Sequence, residues 1–177
     1  MRLFIAIELN KEMQAALTGV QDALRRRRMR GSFTPAENLH LTLAFIGDYP
    51  DPDRVLEVMD TVCFSPFPLR LEGLGRFGDL WWAGLSACGG LDGCVRRLRR
   101  ALAEADIPFA RKRFTPHITL VRRAVWNGRG NLPAAPVPDV GMEVSRITLM
   151  RSDRGKSGMI YTPLGNIPAR SGHAQEP

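Results

Sequence analysis

Cysteine is scarce in this chain. Its 177 residues include only Cys63, Cys88 and Cys94, an odd number, and no two of them have the C-x-x-C spacing. A disulfide framework and a zinc cage both need closely paired thiols, so this pattern argues against both. We expect reduced thiols in a cytoplasmic protein.

Long apolar runs are also missing. The opening ten residues, MRLFIAIELN, are interrupted by Glu8 and are too short to form a signal peptide. No run approaches the roughly eighteen apolar residues of a membrane-spanning helix. We therefore expect a soluble monomer with no membrane partner. The length favours one domain, placed at residues 1–166, followed by a disordered tail at 167–177.

Lysine is rare, although the chain is strongly basic. The formal net charge is +7, and the 25 basic residues comprise 22 arginines and 3 lysines. The planar guanidinium fork suits phosphate oxygens, so this balance favours a phosphate-bearing partner such as RNA. For any single arginine, a solvated side chain that reflects codon usage is the stronger interpretation.

Histidine occurs three times, and two of the three begin almost the same phrase. Residues 40–43 read HLTL and residues 117–120 read HITL. Each phrase lies in an apolar, β-prone run. Its His and Thr are therefore expected on one face of a strand, about 6.5 to 7 Å apart. Two such strands can hold one anionic group between them. The third, His173, lies in the predicted tail and is expected to be solvated.

The repetition of the phrase carries the functional argument. A single H-x-T indicates little, because a lone strand histidine is usually structural and threonine is a good strand former. Metal-independent hydrolysis of a phosphodiester needs an acid, a base and donors for the phosphoryl oxygens. Two histidines can share the first two roles, and two threonine hydroxyls can supply the donors. The sequence has neither a nucleophile elbow nor a zinc-binding H-E-x-x-H, and we predict no metal and no cofactor.

Periodicity predicts an alternation of strands and helices. Strands are predicted at 3–9, 40–46, 68–74, 80–87, 116–121, 144–150 and 159–164, and helices at 11–28, 53–63 and 91–105. Residues 31–38 are expected to form a connector, 127–141 a loop rich in Gly and Pro, and 151–158 a polar hairpin-like segment. This order predicts an α+β protein in which a similar unit is used twice.

The longer phrases ENLHLTLAFIG (37–47) and FTPHITLVRR (114–123) resemble the signature strands of the 2H phosphoesterase superfamily. Within that superfamily the chain is similar to the bacterial and archaeal RNA 2′,3′-cyclic phosphodiesterases, also called 2′,5′-RNA ligases. The opening MRLFIAIEL, the central GLGRFG with LWWAGL, and the later RITLMRS extend the resemblance to about residue 164.

The resemblance implies a bilobal α+β fold with two similar sheet-plus-helix lobes around a central cleft. It also implies a metal-independent reaction that opens a terminal 2′,3′-cyclic phosphate of RNA and leaves a 2′-phosphate, with reversible 2′,5′-RNA ligase activity in vitro. His40 would be the proton donor and His117 the proton acceptor, while Thr42 and Thr119 would bind phosphate. Neither a metal nor a cofactor is implied.

Two further positions match the family pattern. Arg122 would bind phosphate and Phe45 would stack on a base, each five residues after its histidine. In an ideal strand both side chains point away from the motif face, so a bulge or the strand end would have to redirect them. Core packing explains Phe45 nearly as well, and Arg123 is the alternative phosphate contact if the register differs.

Other patterns are weaker. Residues 73–78 match G-x-G-x-x-G, but the run after them is strand-like. They therefore predict a turn between strands and not a cofactor loop. Trp81 and Trp82 could stack on RNA bases, and one of the two is expected in the core because neighbouring strand residues face opposite ways.

Three basic runs differ in how well they are placed to contact a substrate. Those at 25–28 and 96–100 lie on predicted helices and are expected to be solvated faces. The run at 111–113 directly precedes the second motif and is better placed to meet a substrate strand.

Two alternatives stay open for the function as a whole. One is a 2H phosphoesterase acting on another cyclic phosphate or on a 2′,5′-linked oligonucleotide, and the other is a noncatalytic RNA-binding module.

Overall fold

The computed structural model describes residues 1–127 and 135–170, which form nine strands and three α-helices. The strands are β1 (Arg2–Glu8), β2 (Met29–Phe33), β3 (His40–Asp48), β4 (Phe67–Phe77), β5 (Leu80–Leu85), β6 (His117–Trp126), β7 (Gly141–Val144), β8 (Arg146–Gly155) and β9 (Gly158–Pro168). The helices are α1 (Lys11–Arg26), α2 (Pro52–Asp60) and α3 (Gly89–Glu104), with a 3-10 turn at Ala36–Asn38.

The strands form two antiparallel sheets. The first has the order β3-β1-β8-β9, and the second has the order β2-β6-β5-β4-β7. The two motif strands therefore belong to different sheets, with β3 at an edge and β6 between β2 and β5. Strands β3 and β6 contact each other, so the sheets meet along the motif strands. The α+β class predicted from the sequence is confirmed.

One continuous apolar core joins both sheets and the helices. Helix α1 packs on β2 and β6, whereas α2 packs on α3 and β9. On α1 the spacing of Met13, Leu17, Val20 and Leu24 places one side chain on the same face at every turn, and all four are buried. Burial of a side chain of this size stabilises the fold by about 1.5 to 3 kcal/mol.

The sequence prediction missed strand β2: it ended the first helix at residue 28 and placed a connector at residues 31–38. Helix α1 begins after Asn10, whose side chain accepts a hydrogen bond from the Met13 amide at 2.9 Å and so caps the helix. It stops at Arg26, and Arg28 then adopts a left-handed conformation with φ 66°. The next five residues, MRGSF, show no clean apolar alternation. Their strand conformation comes from pairing with β6, a contact distant in sequence.

Two other boundaries differ from the prediction. The strand predicted at 144–150 is the end of β7 and the start of β8, which belong to different sheets and are separated by Ser145. The hairpin segment is shorter than expected, because β8 continues to Gly155 and only two residues form the turn into β9. By contrast, the G-x-G-x-x-G phrase lies at the end of β4 and in the turn to β5, as predicted.

The last strand passes the boundary drawn at residue 166. Strand β9 runs to Pro168, and the Arg170 amide still donates to the Phe64 carbonyl at 2.8 Å. The rest of the predicted tail, 171–177 with His173, lies outside the described residues, as does 128–134 of the predicted loop. None of the described helices has both the length and the apolar character needed to cross a membrane.

Replacing Gly19 with alanine is expected to stabilise the protein. Gly19 is exposed within α1, and a Cβ built there meets no atom within 4 Å. Alanine is favoured over glycine in a helix interior, so the free energy of unfolding should rise by about 0.5 to 1 kcal/mol. Urea unfolding followed by circular dichroism measures the change.

The matched comparison is Gly75→Ala in β4. There the new Cβ would overlap the ring of Trp82, so this variant should be less stable than the parent. An unchanged or lower stability of Gly19→Ala would contradict the expected gain.

Candidate active site

The two motifs present their polar side chains in the same way. His40 is the first residue of β3 and His117 the first residue of β6. Thr42 and Thr119 follow two residues later on the same strand faces, and all four side chains are half-buried. The residues that alternate with them are fully buried: Leu41, Leu43, Ile118 and Leu120. The period of two thus sends the apolar residues into the core and the His–Thr pairs out of it.

Each imidazole is fixed by the backbone just before it. The Nδ1 atom of His40 lies 2.7 Å from the Asn38 carbonyl oxygen, and Nδ1 of His117 lies 2.6 Å from the Thr115 carbonyl oxygen. A carbonyl only accepts, so both Nδ1 atoms carry a hydrogen and donate it. Nε2 is therefore the nitrogen left for proton exchange in both rings. In His40 this atom lies 2.9 Å from the Thr42 hydroxyl.

Aromatic rings surround both histidines. The ring centroid of His40 lies 5.0 Å from that of Phe4 and 5.2 Å from that of Tyr161. The His117 centroid lies 5.2 Å from Phe77 and 5.9 Å from Trp82. These rings limit the orientations open to each imidazole and shield it from water.

The tryptophan pair divides between core and site, as the sequence predicts. Trp81 is 7% exposed and belongs to the core, whereas Trp82 packs beside His117. The Nε1 atom of Trp82 is buried and has no hydrogen-bond acceptor among the described residues.

A β-bulge redirects Phe45. Thr42 and Ala44 pair with consecutive residues of β1, so Leu43 is an extra residue in β3. Leu43 and Ala44 are both fully buried, which shifts the alternation by one. Phe45 therefore lies on the same side as the motif, 37% exposed, and lines the cavities that contain the two histidines. This geometry does not match the core-packing alternative for Phe45.

The second motif strand contains the equivalent bulge. Thr119 and Val121 pair with consecutive residues of β5, and Leu120 is the extra residue. Leu120 and Val121 are both fully buried, and Arg122 then lies beside His40 in the central cavity. Arg123, the alternative phosphate contact, has a left-handed conformation with φ 52° and does not line this cavity.

Three adjoining cavities form one cleft. The central cavity has a volume of 430 Å³ and contains His40, Thr42, Phe45, Arg122 and Tyr161, together with Arg2, Phe4, Ser152, Arg154 and Met159. A second, of 470 Å³, contains His117, Lys112, Arg113, Phe77, Arg99, Ala110, Phe114 and Thr115, and it shares Thr42 and Phe45 with the first. A third, of 390 Å³, shares Arg122, Met159 and Tyr161 with the central cavity. Thr119 lies on the motif face but lines none of the three.

Positive charge and burial set the electrostatics of this cleft. Burial lowers the pKa of His40 below its usual 6.5. The hydrogen bond to the Asn38 carbonyl opposes this effect, whereas the charges of Arg122 and His117 lower the pKa further. Arg122 and His117 belong to the second sheet, whereas His40 belongs to the first. Their effect on the pKa of His40 therefore indicates that the three side chains lie around one cleft. Among the residues that the structure describes, no acidic side chain lines the central cavity, so its field suits an anion.

Some cleft residues could not be recognised in the sequence. The basic run 96–100 was predicted to be solvated, yet Arg99 is half-buried and lines the cavity that holds His117. The signal that could have identified it is its position on the flank of the apolar stripe of α3, four residues after Val95 and three before Leu102. Tyr161 gave no such signal. Among the described residues, no group of three or more His, Cys, Asp and Glu side chains is arranged to hold a metal ion.

Comparison with known proteins agrees with this geometry. The family model of the 2′-5′ RNA ligase superfamily matches residues 11–156. An RNA 2′,3′-cyclic phosphodiesterase of Thermus thermophilus is 35% identical over 199 aligned residues, which cover 99% of this chain and 94% of the relative.

Solved structures show the same fold. The crystal structure of apo LigT from E. coli superposes with a TM-score of 0.82 at 26% identity, covering 96% of this chain and 98% of LigT. LigT complexed with 3′-AMP superposes with a TM-score of 0.79 over the same shares of both chains. The bilobal 2H phosphoesterase fold expected from the motifs is confirmed, and the chain belongs to the 2′-5′ RNA ligase superfamily.

Proposed function

We propose that this protein is an RNA 2′,3′-cyclic phosphodiesterase, which opens a terminal 2′,3′-cyclic phosphate to a 2′-phosphate without a metal. One observation carries the proposal: two imidazoles, each with Nδ1 anchored to the backbone, lie on contacting strands beside one basic cleft. The relative from Thermus thermophilus, which carries this activity in its name, supports the same conclusion.

The chemistry needs one proton taken and one proton given. His117 accepts a proton from water through Nε2 as the water oxygen attacks phosphorus. The bond from phosphorus to the 3′ oxygen breaks, and the protonated Nε2 of His40 donates a proton to that leaving oxygen. The products are a 2′-phosphate and a free 3′ hydroxyl, and both histidines then exchange protons with solvent.

Three donors would stabilise the charge that builds on the phosphoryl oxygens. Thr42 and Thr119 supply hydroxyls, and Arg122 supplies a guanidinium that lies between the central and third cavities. Phe45 would stack on the terminal base. The Arg2 guanidinium already lies 4.9 Å from the centroid of that ring, and an aromatic ring beside an arginine is a typical platform for a base.

The proton on His40 would arrive together with the substrate. In the free protein, burial and the charge of Arg122 keep the pKa of His40 low, so the ring is mostly neutral near pH 7. A bound cyclic phosphate places a negative charge beside Nε2 and favours the protonated ring. Binding of the anion is thus expected to raise the pKa of His40 and to charge the acid only when it is needed.

Mutation of the motif histidines tests the activity. The protein is incubated with an oligonucleotide that ends in a 2′,3′-cyclic phosphate, with EDTA present. We expect a 2′-phosphate product, and a loss of about 100-fold or more in kcat for His40→Ala and for His117→Ala, because each removes a proton-transfer group.

His173→Ala is the matched control and should keep full activity, since His173 lies outside both motifs. Absence of product with the parent protein would refute the phosphodiesterase. Product that forms without EDTA but not in its presence would refute the metal-independent route. Salt-sensitive RNA binding without product would identify the noncatalytic module instead. A 2′,5′-linked oligonucleotide tested in parallel measures cleavage of that alternative substrate and, with a 5′-hydroxyl acceptor, ligation.

Titration of His40 tests the proton uptake. We expect the variant His117→Asn to bind ligand without turnover, and it retains only two imidazoles, those of His40 and His173. Adding adenosine 2′,3′-cyclic phosphate, a diester that does not itself titrate near neutral pH, should raise the pKa of His40. The imidazole of His173 supplies the internal control and should not move. A pKa of His40 that is unchanged or lower with ligand would contradict the assignment of this ring as the acid.

The cavity beside His117 is suited to the RNA chain that leads to the cyclic end. It combines the cations Lys112 and Arg113 with the rings of Phe77 and Phe114, and Phe77 is 47% exposed. Single-stranded RNA is held by this combination of phosphate-binding cations and aromatic platforms. We therefore propose that nucleotides upstream of the terminal one lie along this cavity.

Chain length and salt test this placement. Arg113→Ala should lower kcat/KM for an oligonucleotide about tenfold but leave a cyclic mononucleotide almost unaffected. The slope of log(kcat/KM) against log salt should fall by about 0.7 for the lost phosphate contact. Arg26→Ala, an exposed cation at the end of α1, is the matched control and should change neither value. Equal losses on both substrates would contradict the placement.

We also propose that the enzyme acts as a monomer in the cytoplasm. Every group named above comes from one chain, so the chemistry requires no second copy. Cys63, Cys88 and Cys94 are all free thiols, as is usual in a reducing compartment.

A further inference from the structure

Each motif bulge is held by a side chain from a helix. The extra residue of a bulge has no counterpart on the strand opposite it. In β3 the carbonyl of Leu43 accepts a hydrogen bond from Nε of Arg99 at 3.2 Å, and in β6 the carbonyl of Leu120 accepts one from Nε2 of Gln21 at 3.0 Å. The Leu120 carbonyl also accepts from the Thr34 amide at 2.9 Å, so Gln21 adds a second bond to it. The two unrelated side chains thus meet the same atom of the same motif position.

Both side chains also bind a second carbonyl. Nη1 of Arg99 donates to the Lys112 carbonyl at 2.7 Å, in the loop that leads to His117. Nε2 of Gln21 donates to the Thr34 carbonyl at 2.8 Å, in the segment that leads to His40. Each donor therefore ties the bulge of one motif strand to the approach of the other motif.

The two donors are placed where water cannot replace them easily. Gln21 is 3% exposed, and both hydrogens of its amide nitrogen are used by the two carbonyls. Arg99 is partly desolvated, which lowers its pKa, and its guanidinium carbon lies 5.5 Å from the ring centroid of Phe114. Neither residue lies in the H-x-T phrases, and no step of the proposed mechanism uses either of them.

We propose that Gln21 and Arg99 are positioning residues, which keep Arg122 and Phe45 in the cleft by fixing the bulges that precede them. The link is geometric. Loss of a bulge shifts the strand alternation by one residue, and the side chain two positions after the extra residue then turns away from the motif face. Gln21 acts in this way through Arg122, and Arg99 acts through Phe45. The activity readout of this inference rests on the proposed function.

Double-mutant cycles separate positioning from general stability. Gln21→Met keeps the shape of the side chain but removes both donors. It should lower kcat/KM for a cyclic mononucleotide about tenfold. In Arg122→Met the side chain that Gln21 positions is already absent, so adding Gln21→Met should cause less than a twofold further loss. The cycle of Arg99→Met with Phe45→Leu should behave in the same way, and Arg99→Lys, which keeps one donor, should be intermediate.

The controls come from the same helices. Gln14→Met removes another α1 amide that donates to a carbonyl, that of Leu9, and neither of these residues lines the cleft. Arg100→Met removes an exposed cation next to Arg99. Both should retain activity. If the losses of Gln21→Met and Arg122→Met multiply, Gln21 does not act through Arg122, and the inference is overturned. If the losses of Arg99→Met and Phe45→Leu multiply, the inference is overturned for Arg99.

Folding and function are read separately. Circular dichroism and thermal unfolding report whether each variant is folded, and Gln21→Asn, which keeps an amide but cannot span both carbonyls, replaces Gln21→Met if the latter does not fold. If the parent protein shows no turnover, the proposed function fails. The first cycle is then measured on the affinity for inorganic phosphate by calorimetry. Independent losses of affinity there overturn the positioning role, and coupled losses support it.

Discussion

The contact between β3 and β6 is the constraint on which the rest of the structure depends. These strands belong to different sheets, and no hydrogen-bond ladder joins them. Their approach is maintained by the apolar core that both sheets share, and by polar side chains that reach from helices to strand carbonyls. If this approach loosened, two correctly folded motifs would remain, but the charge of Arg122 would no longer act on His40.

Local order in the site comes from short hydrogen bonds within each motif. The carbonyl two residues before each histidine accepts from Nδ1, which sets the tautomer with no partner from the rest of the fold. The long-range contacts then only have to bring the two motifs, each already ordered locally, next to each other. This division explains why the two halves of the site look alike although their surroundings differ: Phe4 and Tyr161 flank one imidazole, Phe77 and Trp82 the other.

The sequence was informative where the relevant interactions are local. The period of two placed the His–Thr pairs on one strand face, and the helical periodicity predicted α1 to within two residues of its end. The bulges could only be stated as a requirement for Arg122 and Phe45, because a bulge is defined by the partner strand. The strand β2 and the inward turn of Arg99 were missed for the same reason: pairing with β6 and packing beside Phe114 lie far away in the chain.

The route of the chain between the sheets has a consequence for motion. Strands β1 and β3 belong to the first sheet, but β2 and the helix between them pack with the second, and the chain crosses again after β3 and after β7. The two lobes are therefore built from alternating segments of the chain, which passes between the sheets several times. A wide hinge opening would strain several connections at once. Access to the cleft is expected to depend on side chains at its rim, such as Phe77, while the backbone on both sides stays in place.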